Sequence, residues 1–120
     1  MTEVQSEVLA ALAGARVLVV EDNLVNQRLM SAILTKLGLV VEVVADGCAA
    51  VERARAAVHD LIFMDCELPG MDGLAATRAI RSEEPPGRRV PVVAMTGATT
   101  PEDRERCLAA GMDDHVAKPI

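Results

Sequence analysis

The segment LIFMDCELPGMDG fills residues 61–73 and decides the fold. Its first four residues are all apolar, which is typical of a strand covered on both faces of a parallel sheet. Asp65 follows them at once, and the rest of the segment carries Gly70 and Gly73, whose permissive backbones suit a loop. Asp72 stands in position to cap a following helix. The segment therefore predicts a buried strand with an acidic side chain at its carboxyl end.

Similar runs recur along the chain and predict further strands. They are residues 16–20, 39–44 and 90–95, with a weaker run at 115–117. The run at 39–44 alternates through Glu42, as the edge strand of a sheet would. The others are almost wholly apolar, so the sheet should be parallel and covered by helices on both faces.

Segments with helical spacing separate these runs. The first places Leu29, Ile33 and Leu37 on one face and ends at Gly38, a residue type that favours helix ends. The other predicted helices cover residues 48–58, residues around 74–81, and the segment from Pro101 to Gly111. Each helix lies between two strands, which is the arrangement of a parallel α/β protein.

The alternation of strands and helices predicts one doubly wound α/β domain over residues 16–120. Residues 1–15 precede it as an N-terminal extension that could form a short helix, since Val4, Val8 and Leu12 share one side. A length of 120 residues suits one compact domain and is too short for two.

Composition and charge argue against several classes of protein. The net charge of −6 argues against binding to nucleic acid or to an anionic membrane surface, although acidity also serves solubility alone. No apolar run reaches the roughly 18 residues of a membrane span, and the N-terminus lacks the parts of a signal peptide. The odd number of cysteines, Cys48, Cys66 and Cys107, indicates buried reduced thiols in a cytoplasmic protein. His59 is expected at the surface.

The residues that follow each predicted strand carry the chemistry. They are Glu21 and Asp22 after the first strand, Asp65 after the third, Thr96 after the fourth, and Lys118 with Pro119 after the fifth. Ligands bind at the carboxyl ends of parallel strands, so these side chains should meet at one edge. A single acidic residue there is commonly a helix cap, but three converging carboxylates repel one another. Together they predict a site for a hard divalent cation such as Mg²⁺, with the Lys118 ammonium beside it.

Four motifs carry a family resemblance. They are VVEDN at 19–23, MDCELPGMDG at 64–73, AMTG at 94–97 and KP at 118–119. In order and spacing they resemble the signature segments of response-regulator receiver domains of two-component signalling. The resemblance runs from about residue 16 to residue 120. It implies a flavodoxin-like, doubly wound, five-stranded parallel sheet of order 2-1-3-4-5.

The resemblance also implies roles for the acidic residues. Asp65 would be the phosphoacceptor, taking a phosphoryl group from a histidine kinase or a histidine phosphotransfer protein. Mg²⁺ would be bound by Asp22, Asp65 and the backbone carbonyl of Glu67, while Glu21 would hold metal-bound water. A carboxylate is a sufficient nucleophile once a metal screens its approach to an anionic donor. The domain would not be an enzyme beyond Mg²⁺-dependent self-phosphorylation and autodephosphorylation.

The remaining site residues would form a switch. Thr96 and Lys118 would bind phosphoryl oxygens after transfer, with Gly97 and Pro119 in supporting positions. Gly97 replaces a commoner alanine and leaves room for the donor's phosphohistidine. His115 stands where the family usually has an aromatic residue that moves on activation, although a surface histidine without a role is the simpler interpretation.

Two further departures from the family pattern stand out. Glu67 occupies a position that commonly holds Met, Gln or Asn, and its carboxylate should disfavour an incoming phosphate unless it points to solvent or reaches Lys118. The family normally continues past the Lys-Pro pair with a final helix, which is missing here because the chain stops at Ile120. We expect either a shortened chain or another surface over the apolar face, such as the N-terminal extension or a partner in a homodimer.

Other classes of protein share parts of this pattern. A phosphatase of the haloacid-dehalogenase type also uses a strand-end aspartate and Mg²⁺, but it needs a second aspartate where Glu67 stands. A degenerate receiver that acts only as a binding module would normally lack Asp65, Asp22 or Lys118. Residues 21–27 look most like receivers attached to hybrid sensor histidine kinases, with a stand-alone regulator as the alternative.

Overall fold

The computed structural model describes residues 11–68, 70–97 and 100–117. Its strands are β1 (Arg16–Val20), β2 (Val40–Val44), β3 (Leu61–Asp65), β4 (Val92–Thr96) and β5 (Asp114–Ala117). They form one parallel sheet of order β2-β1-β3-β4-β5. The helices of the described residues are α1 (Leu24–Lys36), α2 (Gly47–Ala54), α3 (Gly73–Glu83) and α4 (Pro101–Ala109). The flavodoxin-like strand order expected from the sequence is confirmed.

Strand β3 is the centre of the sheet, and all five of its residues are buried. Its alternate side chains point to opposite faces of the sheet, so they pack in two separate apolar layers. Ile62 and Met64 pack in a layer with residues of α2, α3 and α4, whereas Leu61 and Phe63 pack in a layer with residues of α1. Helices therefore cover both faces, which is why the strand is apolar throughout.

Each described helix begins at a polar capping residue. The side chains of Asn23, Asp46, Asp72 and Thr100 accept a hydrogen bond from a backbone N–H of the first turn. Pro101 occupies the start of α4, as predicted, where its missing N–H costs nothing. These caps follow the carboxyl ends of strands, so every described helix starts at the same edge of the sheet.

The apolar residues that share one face of α1 in the sequence are not the ones most deeply buried. The side chains that enter the core are Met30 and Leu34, while Leu29 is 41% exposed. The helix carries apolar residues on two faces, and spacing alone could not tell which of them meets the sheet. Gly38 ends the helix in a left-handed conformation, as expected.

The end of α2 and the position of His59 also differ from expectation. The helix ends at Ala54, not at residue 58, and Ala57 adopts a positive φ of 55° that turns the chain away. This turn brings His59 inside, where it is 4% exposed and its Nε2 lies 3.1 Å from Oε1 of Glu42. The prediction of a surface histidine was therefore wrong. Cys48, expected to be buried, is exposed on α2.

Glu42 joins the edge strand β2 to α2. Its carboxylate accepts hydrogen bonds from Nε and Nη2 of Arg53, and the second of these is 2.9 Å long. The hydrogen bonds from Arg53, helped by the contact with His59, lower the pKa of Glu42 to about 2. The charged carboxylate is thus favoured by the folded state.

We expect the free energy of unfolding to fall as the pH drops from 4.5, the ordinary pKa of this carboxyl, towards 2. A group whose pKa is lower in the folded state adds stability above its unfolded pKa and loses it as it is protonated. Because 37% of the Glu42 side chain is exposed, solvent screening keeps the change modest. Urea denaturation followed by circular dichroism measures it, and Glu42→Gln should flatten the curve in this range.

The matched control is Glu52→Gln, because Glu52 is exposed on the same helix as Arg53. It should keep the wild-type dependence on pH. Equal slopes for wild type and Glu42→Gln would contradict the assignment of this acid sensitivity to Glu42.

Candidate metal centre

Three carboxylates meet at the carboxyl edge of the adjacent strands β1 and β3. Glu21 and Asp22 follow β1, Asp65 ends β3, and one carboxylate oxygen of each lies within 4.8 Å of the others. The parallel register that pairs Val20 with Met64 brings them together. Glu21 and Asp65 are each 1% exposed, whereas Asp22 is exposed. Charges this close and this buried repel strongly unless positive charge offsets them.

Glu21 is held in place by the start of α1. Its Oε1 accepts hydrogen bonds from the backbone N–H of Asn23 and from Nδ2 of Asn26, both at 3.2 Å. Gln27 donates from Nε2 to the backbone oxygen of Glu21 at 2.6 Å. These roles of Asn26 and Gln27 were not predicted from the sequence. Their signal was an amide pair in the first turn of a helix that begins just after two acidic residues.

Asp65 is fixed by the turn that follows it. Its Oδ1 accepts a hydrogen bond of 2.9 Å from the backbone N–H of Glu67, and Cys66 continues the sheet by donating to the oxygen of Met95 at 3.0 Å. The Glu67 side chain is exposed, which fits the alternative in which it points to solvent. The use of its backbone carbonyl as a metal ligand stays a prediction.

Glycines let two helices approach this turn closely. A Cβ on Gly73 would lie 2.1 Å from the backbone oxygen of Asp65, and a Cβ on Gly47 would lie 2.5 Å from that of Met71. No side chain fits at either position without moving backbone. The sequence predicted only a loop role for Gly73, and its contact with Asp65 was not foreseen.

The predicted switch residues lie along β4 and β5. Thr96 is buried at the end of β4, one residue beyond the Met95 that pairs with Asp65. His115 pairs with Ala94, so strand alternation places it on the same face as Thr96. The His115 side chain is 26% exposed, with Nδ1 3.8 Å from Oδ1 of Asp114. Gly97 is exposed, and a Cβ added there would meet nothing within 4 Å.

Some residues to which the sequence analysis assigned a role lie outside the part of the chain that the structure describes. Lys118, Pro119 and Ile120 lie outside the described residues, as do Val4 and Val8 of the N-terminal extension. The ammonium expected beside Asp65 therefore stays a prediction. Leu12, the described member of the proposed N-terminal apolar side, is 46% exposed.

The donor set fits a hard divalent cation. Three carboxylates from two adjacent strands offer only oxygen atoms, which Mg²⁺ prefers, and the exposure of Asp22 leaves room for retained water. Glu21, Asp22 and Asp65 would hold the ion. Such a site at the carboxyl edge of a 2-1-3-4-5 parallel sheet defines a flavodoxin-like α/β protein with an acidic centre that could hold a cation.

The chain belongs to the response regulator receiver domain family, whose model matches residues 17–120. This confirms the resemblance drawn from the motifs.

Solved structures agree with this membership. The receiver domain of a sensor histidine kinase from Pseudomonas aeruginosa, which holds a magnesium ion in its active site cleft, is 52% identical with a TM-score of 0.81, over 90% of this chain and 88% of that one. A yeast (Saccharomyces cerevisiae) receiver domain, solved in complex with a histidine phosphotransfer protein, is 30% identical with a TM-score of 0.82, over 90% and 81%.

Curated relatives are much longer proteins. A probable histidine kinase of rice (Oryza sativa subsp. indica) is 41% identical over 91% of this chain and 12% of its own length. A hybrid signal transduction histidine kinase of Dictyostelium discoideum is 40% identical over 88% of this chain and 6% of its own length. The chain thus spans a small fraction of these relatives. Among the described residues, no helix is both long enough and apolar enough to span a membrane.

We expect Asn26→Ala to lower the affinity for Mg²⁺ by roughly tenfold, the lower end of the range for losing a partner that orients a metal ligand. Without the Asn26 amide, Glu21 loses one of the donors that fix Oε1. The chain has no Trp or Tyr, so NMR-monitored Mg²⁺ titration is the suitable measurement. Thr35→Ala, at an exposed position near the other end of the same helix, should bind Mg²⁺ as wild type does. Equal affinities for both variants would contradict the orienting role.

Proposed function

We propose that this chain is the phosphoacceptor of a two-component phosphorelay, in which Asp65 takes a phosphoryl group from a phosphohistidine in the presence of Mg²⁺. One observation carries the proposal. A buried aspartate at the end of the central strand lies within 4.8 Å of two further carboxylates. Family membership and the magnesium ion in the Pseudomonas receiver support it.

Phosphoryl transfer depends more on the correct placement of donor and acceptor, and on stabilisation of charge, than on covalent chemistry by the protein. A carboxylate oxygen of Asp65 forms the new bond to phosphorus. The bond from phosphorus to the donor imidazole nitrogen breaks, and its electron pair stays on that nitrogen, which is protonated from solvent. The backbone N–H of Glu67 donates to Oδ1 of Asp65 and so fixes the orientation of its carboxylate. A bound Mg²⁺ supplies the positive charge that offsets the site's carboxylates and the phosphoryl oxygens.

The switch follows from the new oxygens on Asp65. They offer acceptors to the Thr96 hydroxyl and, in the family scheme, to the Lys118 ammonium. A shift of Thr96 would alter the end of β4, and His115 lies on the same face of the neighbouring strand. The added charge on Asp65 would thereby change the conformation of the protein where β4 and β5 lie side by side.

The surface beside the site suits a protein donor. Leu24, Val25 and Leu29 are 58%, 72% and 41% exposed on the first turns of α1, which begins two residues after Asp22. We call these three residues the α1 stripe. An apolar stripe next to a charged cleft can hold a partner helix while its phosphohistidine reaches Asp65. The partner is a histidine kinase or a histidine phosphotransfer protein, as in the yeast complex.

The decisive experiment is phosphorylation with acetyl phosphate and Mg²⁺, read as a mass gain of one phosphoryl group. Wild type should gain it and Asp65→Asn should not. Asp60→Asn is the matched control, since Asp60 precedes the same strand at its other end and is exposed. It should react as wild type does. A wild-type chain that gains no phosphate from acetyl phosphate or from a phosphorylated kinase would favour a receiver that only binds other proteins.

We expect Val25→Asp to slow transfer from a phosphorylated histidine phosphotransfer protein by about tenfold, the size of losing one apolar anchor at an interface. Its reaction with acetyl phosphate should be unchanged, because that small donor needs no protein surface. Leu108→Asp is the control, since Leu108 is 53% exposed on a helix but lies near the end of α4 that is remote from the site. Equal slowing with both donors would contradict a docking role for the α1 stripe.

A further inference from the structure

A pair of thiols lies directly behind the phosphoacceptor. Cys66 follows Asp65 in the chain, and its Sγ lies 3.8 Å from the Sγ of Cys107 on α4. Cys107 is buried and Cys66 is partly exposed. The two residues are 41 positions apart in the sequence, so the fold itself brings them together.

We propose that Cys66 and Cys107 form a reversible disulfide that couples the redox state of the surroundings to the phosphoacceptor. A disulfide requires the sulfur atoms to approach to roughly 2.05 Å, about 2 Å closer than they are here. Cys66 lies in the turn after β3, outside regular structure, but its backbone is held by hydrogen bonds with Met95 and Gly73, so closing the gap strains this turn. Cys48 does not belong to the pair, since it is exposed on α2.

The oxidant we assign is a hydroperoxide. The thiolate of Cys66, the more accessible sulfur, attacks one peroxide oxygen and the O–O bond breaks, giving a sulfenic acid and a hydroxide or alkoxide ion, which solvent protonates to water or alcohol. The thiolate of Cys107 then attacks the Cys66 sulfur, which forms the disulfide and releases hydroxide that is protonated to water. The two thiols lose two electrons in total, and the peroxide gains them. A cellular thiol reductant reverses the reaction by exchange.

The disulfide would tie the turn after Asp65 to α4. Cys66 lies between Asp65 and Glu67, whose N–H holds the Asp65 carboxylate at 2.9 Å. Pulling Cys66 towards α4 displaces this hydrogen bond, and a displacement of about 1 Å is enough to slow an in-line reaction strongly. The oxidised chain should therefore accept a phosphoryl group several-fold more slowly than the reduced chain. This second step rests on the function proposed above.

The first test is peptide mapping after treatment of the whole chain with hydrogen peroxide. Trypsin places Cys48, Cys66 and Cys107 on separate peptides, residues 37–53, 56–78 and 107–120. We expect the second and third peptides to be joined without reductant and separate with it. Cys48→Ser should keep the link, and Cys66→Ser and Cys107→Ser should each abolish it. Oxidation confined to single sulfurs, or links through Cys48, would overturn the proposal.

The second test compares the rate of phosphorylation by acetyl phosphate before and after oxidation. Wild type and Cys48→Ser should slow several-fold and recover with reductant, while Cys107→Ser should not respond. A disulfide-linked chain that takes the phosphoryl group as fast as the reduced chain does would overturn the coupling to Asp65. A reduced chain that takes no phosphoryl group would refute the proposed function instead. It would leave the disulfide itself standing, because the disulfide is detected by peptide mapping without phosphorylation.

Discussion

The mutual repulsion of Glu21, Asp22 and Asp65 is the constraint on which the rest of the molecule depends. Two of these carboxylates are almost wholly buried, so keeping all three charged side by side requires positive charge to offset them. The strand register fixes where they stand, and the amides of α1 and the turn after β3 fix how they are oriented. A site of this kind is well suited to bind a cation and, with it, an anionic group.

Much of the fold could be predicted because its strands are short apolar runs separated by helices with clear caps. The gathering of acidic residues at one edge followed from the parallel arrangement, since carboxyl ends of such strands share an edge. The positions of Asp72 and Pro101 at helix starts were visible as residue types with known preferences. These features are local, and local patterns can be read from a sequence.

The features that escaped prediction depend on contacts between distant residues. The sequence did not show which side of α1 is buried because the helix is apolar on two faces, and His59 was misplaced because its partner Glu42 lies far away in the sequence, on β2. The contact of Gly73 with the Asp65 backbone has no signal beyond a glycine at a helix start. The ammonium of Lys118 lies outside the described residues, so its place beside Asp65 rests on the family pattern.

The close approach at Gly73 makes the packing on the two flanks of Asp65 unequal. On the α3 flank, backbone meets backbone with no slack, and Gly47 tightens the same flank from α2. On the β4 flank, Gly97 faces open space. Close-packed regions transmit strain rather than absorb it, so a disturbance that begins at Asp65 passes directly to the start of α3. The close packing thus links the position of Asp65 mechanically to that of α3.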